Sequence, residues 1–176
     1  MMNRPRTSGI EPTAEAGLDA RAFRSGMARL AAAVSIVTTV QGDEPFGFTA
    51  SAVCSVTDTP PTLLVCVNRN ARSHPVIAAS RVLCVNTLSG GHEDLSMAFA
   101  GGGGATSMAD RFRHGEWTRL VTGAPVLVGA AVSFDCQVNA FHEAGTHDVL
   151  FCDVLAIREG ASGGLVYFDR RFHRLA

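Results

Sequence analysis

Runs of β-branched and aliphatic residues, separated by short polar turns, dominate the chain. Val34–Val40 is such a run, and a turn at Gln41–Pro45 follows it. Thr62–Val67 is continuously apolar after its first residue, as in a buried strand, and Arg81–Leu88 is a further run. Each of these segments predicts a strand.

The clearest strand pattern lies in the last third of the chain. From Val132 to Ala140, apolar residues alternate with polar ones, which is the two-residue period of a strand with one apolar face. His147–Ile157 and Leu165–Phe168 predict two more strands, and a Gly145-Thr146 turn precedes the first of them.

Helical patterns are few. Asp19 is placed to cap a helix that runs to about Ala32, and its apolar face, formed by Phe23, Met27 and Leu30, is expected to pack on the core. Shorter helical segments are predicted at 75–79, 92–100 and 108–112.

The order of these elements predicts the fold class. About seven strands follow one another without regular helical crossovers, which indicates a mostly β protein: an antiparallel barrel with a few peripheral helices. No GxGxxG sequence follows a predicted strand, so a doubly wound dinucleotide site is not expected. Residues 1–18 are predicted to be a flexible tail and residues 19–176 a single domain.

The stretch Gly47–Pro61 is the most informative part of the chain. It is predicted to be one strand that ends in a rigid turn at the Pro60-Pro61 pair. Its side chains are mostly small or hydroxylated, which leaves the backbone open to close approach by a ligand. An ordinary strand and turn would have the same composition, so the composition does not decide between the two.

Composition narrows the classes of function. The chain has 176 residues, 47% of them hydrophobic, and a net charge of -1, which favours neither a nucleic-acid surface nor a membrane surface. The five cysteines form no CxxC pair and lie in apolar, strand-like segments. They predict buried, reduced thiols and a cytoplasmic protein. No HxxxH or HExxH spacing predicts a metal site, and no GxSxG sequence predicts a hydrolase.

A flavin site suits the remaining features better. A flavin ring has flat apolar faces and one polar edge, so it needs small neighbours and hydrogen-bonding groups along that edge. The segment 47–55 supplies these features. Asn68–Ser73, together with Arg111, could hold a phosphate, although that segment could equally be a solvated turn.

Several strings give a specific resemblance. Thr49–Pro61, Cys84–Leu88, Gly145–His147 and Tyr167–His173 resemble the short-chain flavin reductases, the reductase components of two-component flavin-dependent monooxygenases. The resemblance covers about residues 23–175 and is nearest to the uracil-catabolism and 4-hydroxyphenylacetate types. It implies an FMN-binding split β-barrel of Greek-key type that forms a homodimer. It also implies an NAD(P)H-dependent reductase that passes hydride to FMN or FAD and supplies reduced flavin to a partner monooxygenase.

The resemblance also assigns roles to residues of this chain. His147 is expected to face the nicotinamide and is the candidate catalytic residue. The expected cofactor-binding residues lie along the flavin, its phosphate and the dinucleotide: Thr38, Thr39, Thr49, Ala50, Ser51, Ala52, Ser55, Ser73, Asn86, Thr87, Arg111, Phe112, Tyr167, Phe168, Arg170 and Arg171.

Two alternatives to a reductase remain open at this point. A related barrel can carry or sense flavin without turnover, and a pyridoxine-phosphate oxidase-like enzyme shares a similar barrel. The Gly145–His147 turn and the Tyr167–His173 string favour the reductase, because a pure carrier needs no nicotinamide site. The near-neutral net charge favours NADH over NADPH.

Overall fold

The computed structural model describes residues 17, 19–102, 104, 107–160 and 162–176. The predicted tail, residues 1–18, lies outside these residues except for Gly17. The described part contains four helices: α1 (Ala20–Met27), α2 (Ser73–Ser80), α3 (Glu93–Phe99) and α4 (Met108–Phe112). Its strands are β1 (Ala32–Ala33), β2 (Ser35–Gln41), β3 (Glu44–Ala50), β4 (Val53–Asp58), β5 (Pro61–Asn68), β6 (Val82–Thr87), β7 (Trp117–Arg119), β8 (Pro125–Leu127), β9 (Val132–Ala144), β10 (His147–Glu159), β11 (Gly164–Phe168) and β12 (Arg171–Leu175).

One seven-stranded sheet forms the body of the molecule. Its strand order is β3-β2-β6-β9-β10-β5-β4, and every neighbouring pair is antiparallel. A three-stranded sheet, β1-β11-β12, and the β7-β8 ribbon accompany it. The predicted mostly β, antiparallel architecture is therefore confirmed.

Chain connectivity forces this sheet to curl. Its two edge strands, β3 and β4, are consecutive in the chain and are joined only by Ser51 and Ala52. Three residue steps, from Ala50 to Val53, span at most about 11 Å. The edges of a flat seven-stranded sheet would lie about 29 Å apart, at about 4.8 Å between neighbouring strands. The edges must therefore come together, and the sheet closes into a barrel with a seam at Ser51-Ala52.

The prediction of one continuous strand over Gly47–Pro61 is wrong. The chain leaves the sheet at Ser51, re-enters it at Val53 on the opposite edge, and turns at Thr59-Pro60 before β5 begins at Pro61. Periodicity did not reveal the break, because small residues suit a strand and a tight crossover equally well.

Two large apolar clusters and one small one stabilise the barrel. The first fills its interior and includes Val37, Leu83 and Leu150; the second lies outside the sheet and includes Ile36 and Phe99. Strand β2 belongs to both clusters, because successive side chains point to opposite faces. Its first five residues are accordingly all buried.

Gly47 permits the close packing of the outer cluster on β3. A Cβ at this position would lie 2.8 Å from the Phe99 ring and 3.2 Å from the Val37 carbonyl oxygen. The ring of Phe99 also packs edge-on against Phe112, with centroids 5.0 Å apart, and against Trp117. A glycine in β3 therefore lets helix α3 lie directly on the sheet.

Asn86 is the centre of a buried polar network on β6. Its Oδ1 accepts hydrogen bonds from the Leu127 N–H at 2.8 Å and the Ser133 hydroxyl at 2.9 Å, and its Nδ2 donates to the Ile36 carbonyl at 3.1 Å. The side chain is fully buried. One amide therefore ties β2, β6, β8 and β9 together.

The first part of the polar face of β9 is covered by protein, whereas Asn139 further along the strand is exposed. Ser133 and Asp135 are both buried. The Asp135 carboxylate accepts hydrogen bonds from the Thr122 N–H, at 2.8 Å, and from the Thr122 hydroxyl. The alternating pattern predicted the strand correctly, and the segment before β8 covers the polar side of it.

The structure corrects two further predictions. Asp19 does cap α1, but the helix ends at Met27, and none of its residues is buried, so the predicted packing on the core is wrong. The segment from Trp117 to Pro125, expected to be irregular, contributes to the β7-β8 ribbon.

Replacing Asn86 tests the polar network. In Asn86→Ala the Leu127 N–H and the Ser133 hydroxyl lose their partner inside the protein, which should lower the free energy of unfolding by about 2–3 kcal/mol. Urea denaturation measures the change. Asn139→Ala, which removes an exposed asparagine from β9, is the control and should shift it by less than about 0.5 kcal/mol. Equal effects of the two variants would contradict a stabilising role for the network.

Candidate functional site

The seam between β3 and β4 borders three cavities. Ser51 lines all of them, and its neighbours Thr49, Ala50 and Ala52 each line two. The short side chains leave backbone exposed on both sides of the crossover. Concave surfaces with a few convergent polar groups are typical of small-molecule sites.

The first cavity lies between the crossover, α3 and the β11-β12 hairpin and measures about 230 Å³. Its other walls are helix α3 and two aromatic rings that pack edge-on with centroids 5.3 Å apart. Its lining residues beyond the crossover are Val34, Ser96, Met97, Ala100, Tyr167 and Phe172.

The second cavity lies between the crossover and the start of β10 and measures about 280 Å³. Asn68 and His147 face each other in the β5-β10 ladder and both line it, together with Cys66 and Phe48. The predicted nicotinamide residue therefore lies across a cavity from the small-residue stretch.

The third cavity is the largest, at about 550 Å³, and separates α1 from the crossover. Tyr167 lines this cavity as well as the first, so the two adjoin. Arg24 and Arg170 bring positive charge to its wall. No acidic side chain lines any of the three cavities within the described residues, which favours an anionic ligand.

Hydrogen bonds within the protein limit what these side chains can offer. The Thr49 hydroxyl donates to the Ser96 carbonyl at 2.6 Å, so towards a ligand this oxygen can only accept. Ser51 is exposed, and among the described residues its hydroxyl has no partner. The Nδ1 of His147 bonds the Thr146 hydroxyl at 2.9 Å, so Nε2 is the ring nitrogen left for a ligand in the second cavity, which His147 lines.

The structure brings seven of the predicted site residues together around the crossover: Thr49, Ala50, Ser51, Ala52, His147, Tyr167 and Arg170. The other ten lie outside the three cavities: Thr38, Thr39, Ser55, Ser73, Asn86, Thr87, Arg111, Phe112, Phe168 and Arg171. Roles for these ten in binding stay predictions.

Four of those ten use their polar atoms inside the barrel wall. The Thr38 hydroxyl donates to the Pro125 carbonyl at 2.5 Å, and the Thr39 hydroxyl donates to the Val82 carbonyl at 2.7 Å. Asn86 is the network centre described above, and the Thr87 hydroxyl pairs with that of Ser35 at 3.3 Å. Their contacts hold strands together.

The predicted phosphate-binding loop is also engaged in internal contacts. The Arg69 guanidinium bonds Glu143 and the Gly145 carbonyl, and Ser73 is buried at the start of α2. Arg111 donates to the Phe99 carbonyl at 3.2 Å, and the ring of Phe112 packs in the aromatic cluster.

Several lining residues were not predicted. Phe172 lies inside the Tyr167–His173 string that carries the family resemblance. It pairs with Tyr167 across the β11-β12 hairpin, so the resemblance could have pointed to it. Met97 and Arg24 lie on helices whose contact with the crossover depends on tertiary packing. The sequence offers no local signal for them.

The expectation that all the cysteines are buried is wrong for two of them. Cys84, Cys136 and Cys152 are buried, whereas Cys54 is exposed and Cys66 is half-buried on the wall of the second cavity. All five are free thiols. Burial raises the pKa of the Cys152 thiol to about 12 and also raises the pKa of Cys84 and Cys136.

Comparison with known proteins places this geometry in context. Residues 27–176 match the family described as flavin reductase like domain. The FMN reductase (NADH) RutF of Cronobacter sakazakii is 58% identical over 157 residues, covering 89% of this chain and 93% of that protein. FMN reductase (NADH) RutF 2 of Rhizobium rhizogenes is 56% identical over 154 residues, covering 87% of each.

A solved structure agrees with the sequence relatives. Nitrilotriacetate monooxygenase component B from Mycobacterium thermoresistibile superposes with a TM-score of 0.81 at 28% identity, covering 89% of this chain and 86% of that one. Within the described residues, no helix is long and apolar enough to span a bilayer. The same residues contain no group of three or more His, Cys, Asp or Glu side chains placed to hold a metal ion.

Thiol labelling tests the burial of the cysteines. At about pH 8 an aromatic disulfide reagent should modify Cys54 quickly and Cys66 slowly. Burial raises the pKa of the Cys66 thiol, and the nearby Cys54 raises it further, so a smaller fraction of Cys66 is the reactive thiolate. The three buried thiols should react only after unfolding. Cys54→Ser should remove the fast phase, and uniform labelling of all five native thiols would contradict the arrangement.

Proposed function

Because this chain belongs to the flavin reductase like domain family, we propose that it is an NADH-dependent FMN reductase that supplies free reduced flavin to a separate monooxygenase. The relatives named FMN reductase (NADH) support the choice of FMN and NADH. The observation that carries the proposal is the crossover itself, a wall of small residues bordered by His147 on one side and by Tyr167 and Arg170 on another.

The residues at the crossover suit a flavin. Ala50 and Ala52 present little side chain, so a flat ring can approach the backbone, and Ser51 supplies a hydroxyl for its polar edge. Arg24 and Arg170 offer positive charge for a phosphate on the third cavity. The apolar remainder of the lining suits the faces of the ring.

The protein contributes alignment rather than acid-base chemistry. When both are bound, NADH would supply a hydride and FMN would accept it. Held at Nδ1 by Thr146, the His147 ring is oriented towards the second cavity, where it positions the nicotinamide against the ring at the crossover. Fixing two reactants in one orientation can supply a large part of the rate enhancement at such a site.

The partner and the compartment are part of the same proposal. Similarity to nitrilotriacetate monooxygenase component B supports a separate oxygenase as the acceptor of reduced flavin. The five free thiols support a reducing compartment, the cytoplasm.

Mixing the purified protein with NADH and FMN without oxygen tests the activity. The FMN absorbance should bleach in a reaction catalysed by the protein. Ser51→Leu should lower kcat/KM for FMN by about 10-fold or more, because the larger side chain would fill the seam. Thr57→Leu, at an exposed position of β4 outside the three cavities, is the matched control and should keep the activity. Flavin that stays bound through gel filtration and is not reduced by NADH would indicate a carrier instead.

The exposed face of α1 supports a homodimer. Phe23 and Met27 on α1 and Leu30 shortly after it are 55%, 47% and 59% exposed, and no residue of this eight-residue helix is buried. So short a helix is only marginally stable without packing, and a stripe of exposed apolar side chains marks an interaction surface. The stripe also lines the third cavity, so a second copy of the chain packed there would cover the crossover.

Light scattering after gel filtration tests the homodimer. The protein should elute with twice the mass of one chain, and Met27→Glu should convert it to a monomer, because burying a charge in an apolar interface is costly. Val121→Glu is the control: Val121 is 69% exposed and lies outside the helix and the cavities, so the dimer should persist. A wild-type monomer at all concentrations would exclude this interface.

A further inference from the structure

The hairpin that carries His147 is fastened to the loop after β5 by side chains that the proposed reaction does not itself use. Strands β9 and β10 meet at an exposed turn, Gly145-Thr146, where Gly145 has a φ of 59°. Exposed hairpin ends are where local motion concentrates. A residue that must orient a substrate from such an end needs support.

Arg69 supplies that support from two directions. One guanidinium nitrogen contacts the Glu143 carboxylate before the turn, and the other donates to the Gly145 carbonyl inside it. The backbone N–H of Arg69 also donates to the Thr146 carbonyl at 3.1 Å, which extends the β5-β10 ladder by one bond beyond the Asn68-His147 pair. The planar guanidinium suits this double contact, whereas an ammonium group has no fixed fork.

A second contact fastens the same hairpin from the opposite face. Asp148 follows His147 in β10, so its side chain points away from the cavity that His147 lines. The His74 Nε2 lies 2.7 Å from its carboxylate, and the two side chains are only 17% and 13% exposed. Because His74 lies at the start of α2, the helix and the loop before it hold the strand on both sides of His147.

From this geometry we propose that Arg69 is a positioning residue: together with the His74-Asp148 contact it fixes the turn at Gly145-Thr146 and so sets the orientation of His147. Arg69 acts through His147 and touches no substrate. The inference rests on the proposed function, in which His147 orients the nicotinamide.

A double-mutant cycle tests this inference. Arg69→Met keeps the apolar stem and removes the fork, and should raise KM for NADH by about 5-fold or more, with a smaller change in kcat and in KM for FMN. His147→Ala should lower kcat/KM for NADH further. In the double variant, Arg69→Met should add almost nothing, because the residue it positions is gone. Arg69→Lys, which keeps the charge, should recover only part of the loss.

The control is an arginine at another hairpin. Arg119 lies 3.6 Å from Asp43 at the β2-β3 turn, and Arg119→Met should leave KM for NADH unchanged. An unchanged KM for NADH in Arg69→Met overturns the inference. So does an effect that is fully additive with His147→Ala, or a His147→Ala variant with normal kinetics. Wild-type turnover of NADH and FMN in the same assay shows that the proposed function survives any of these outcomes, whereas no turnover would reject the function itself.

Discussion

The two-residue connection between β3 and β4 is the constraint on which the rest of the structure depends. It links the opposite edges of a seven-stranded sheet, so the sheet has no freedom to stay open. Closure gives the sheet an interior face and an exterior face, and both must be covered. At the seam, β3 and β4 are joined by the crossover and not by a ladder of hydrogen bonds. Ser51 and Ala52 occupy that place, and small residues suit it because larger side chains would obstruct both the tight passage and the cavities around it.

The segments packed on the outside of the barrel also explain where its polar residues lie. In an open antiparallel sheet, the polar face of a strand such as β9 would meet water. Here β8 and the segment between β7 and β8 cover the first part of that face, so Ser133 and Asp135 need partners inside the protein, and Asn86 and Thr122 provide them. Each buried donor and acceptor in this layer stabilises the fold only while its partner is present. The wall opposite the seam is therefore held by specific hydrogen bonds, while the seam stays open.

The difference between the hydrogen-bonded wall and the seam explains how much of the structure the sequence could predict. The strands β2, β5, β6, β9 and β10 are long and strongly patterned, and periodicity located all of them within a few residues. Periodicity could not show which hydroxyls face the seam: Thr38 and Thr49 are both strand threonines next to apolar residues, yet one bonds the wall and the other lines two cavities. The prediction that α1 packs on the core failed for a related reason. An amphipathic pattern identifies an apolar face but does not show what covers that face.

The contrast between wall and seam also bears on how a ligand would be held. The Thr49 hydroxyl already donates its hydrogen bond to the Ser96 carbonyl, so the crossover offers a ligand few side-chain donors apart from Ser51. Affinity at such a site comes mainly from flat contact of the flavin ring with backbone and small side chains. A site with few side-chain hydrogen bonds suits a flavin that arrives oxidised and leaves reduced. In the proposed function, His147 orients the nicotinamide, so precise positioning is needed most at the β9-β10 hairpin. There Arg69 contacts the turn, and His74 contacts the strand behind it. In the proposed function, the residue that orients the nicotinamide is thus the one held by the most side-chain contacts, and the crossover, where reduced flavin would leave, offers the fewest side-chain donors.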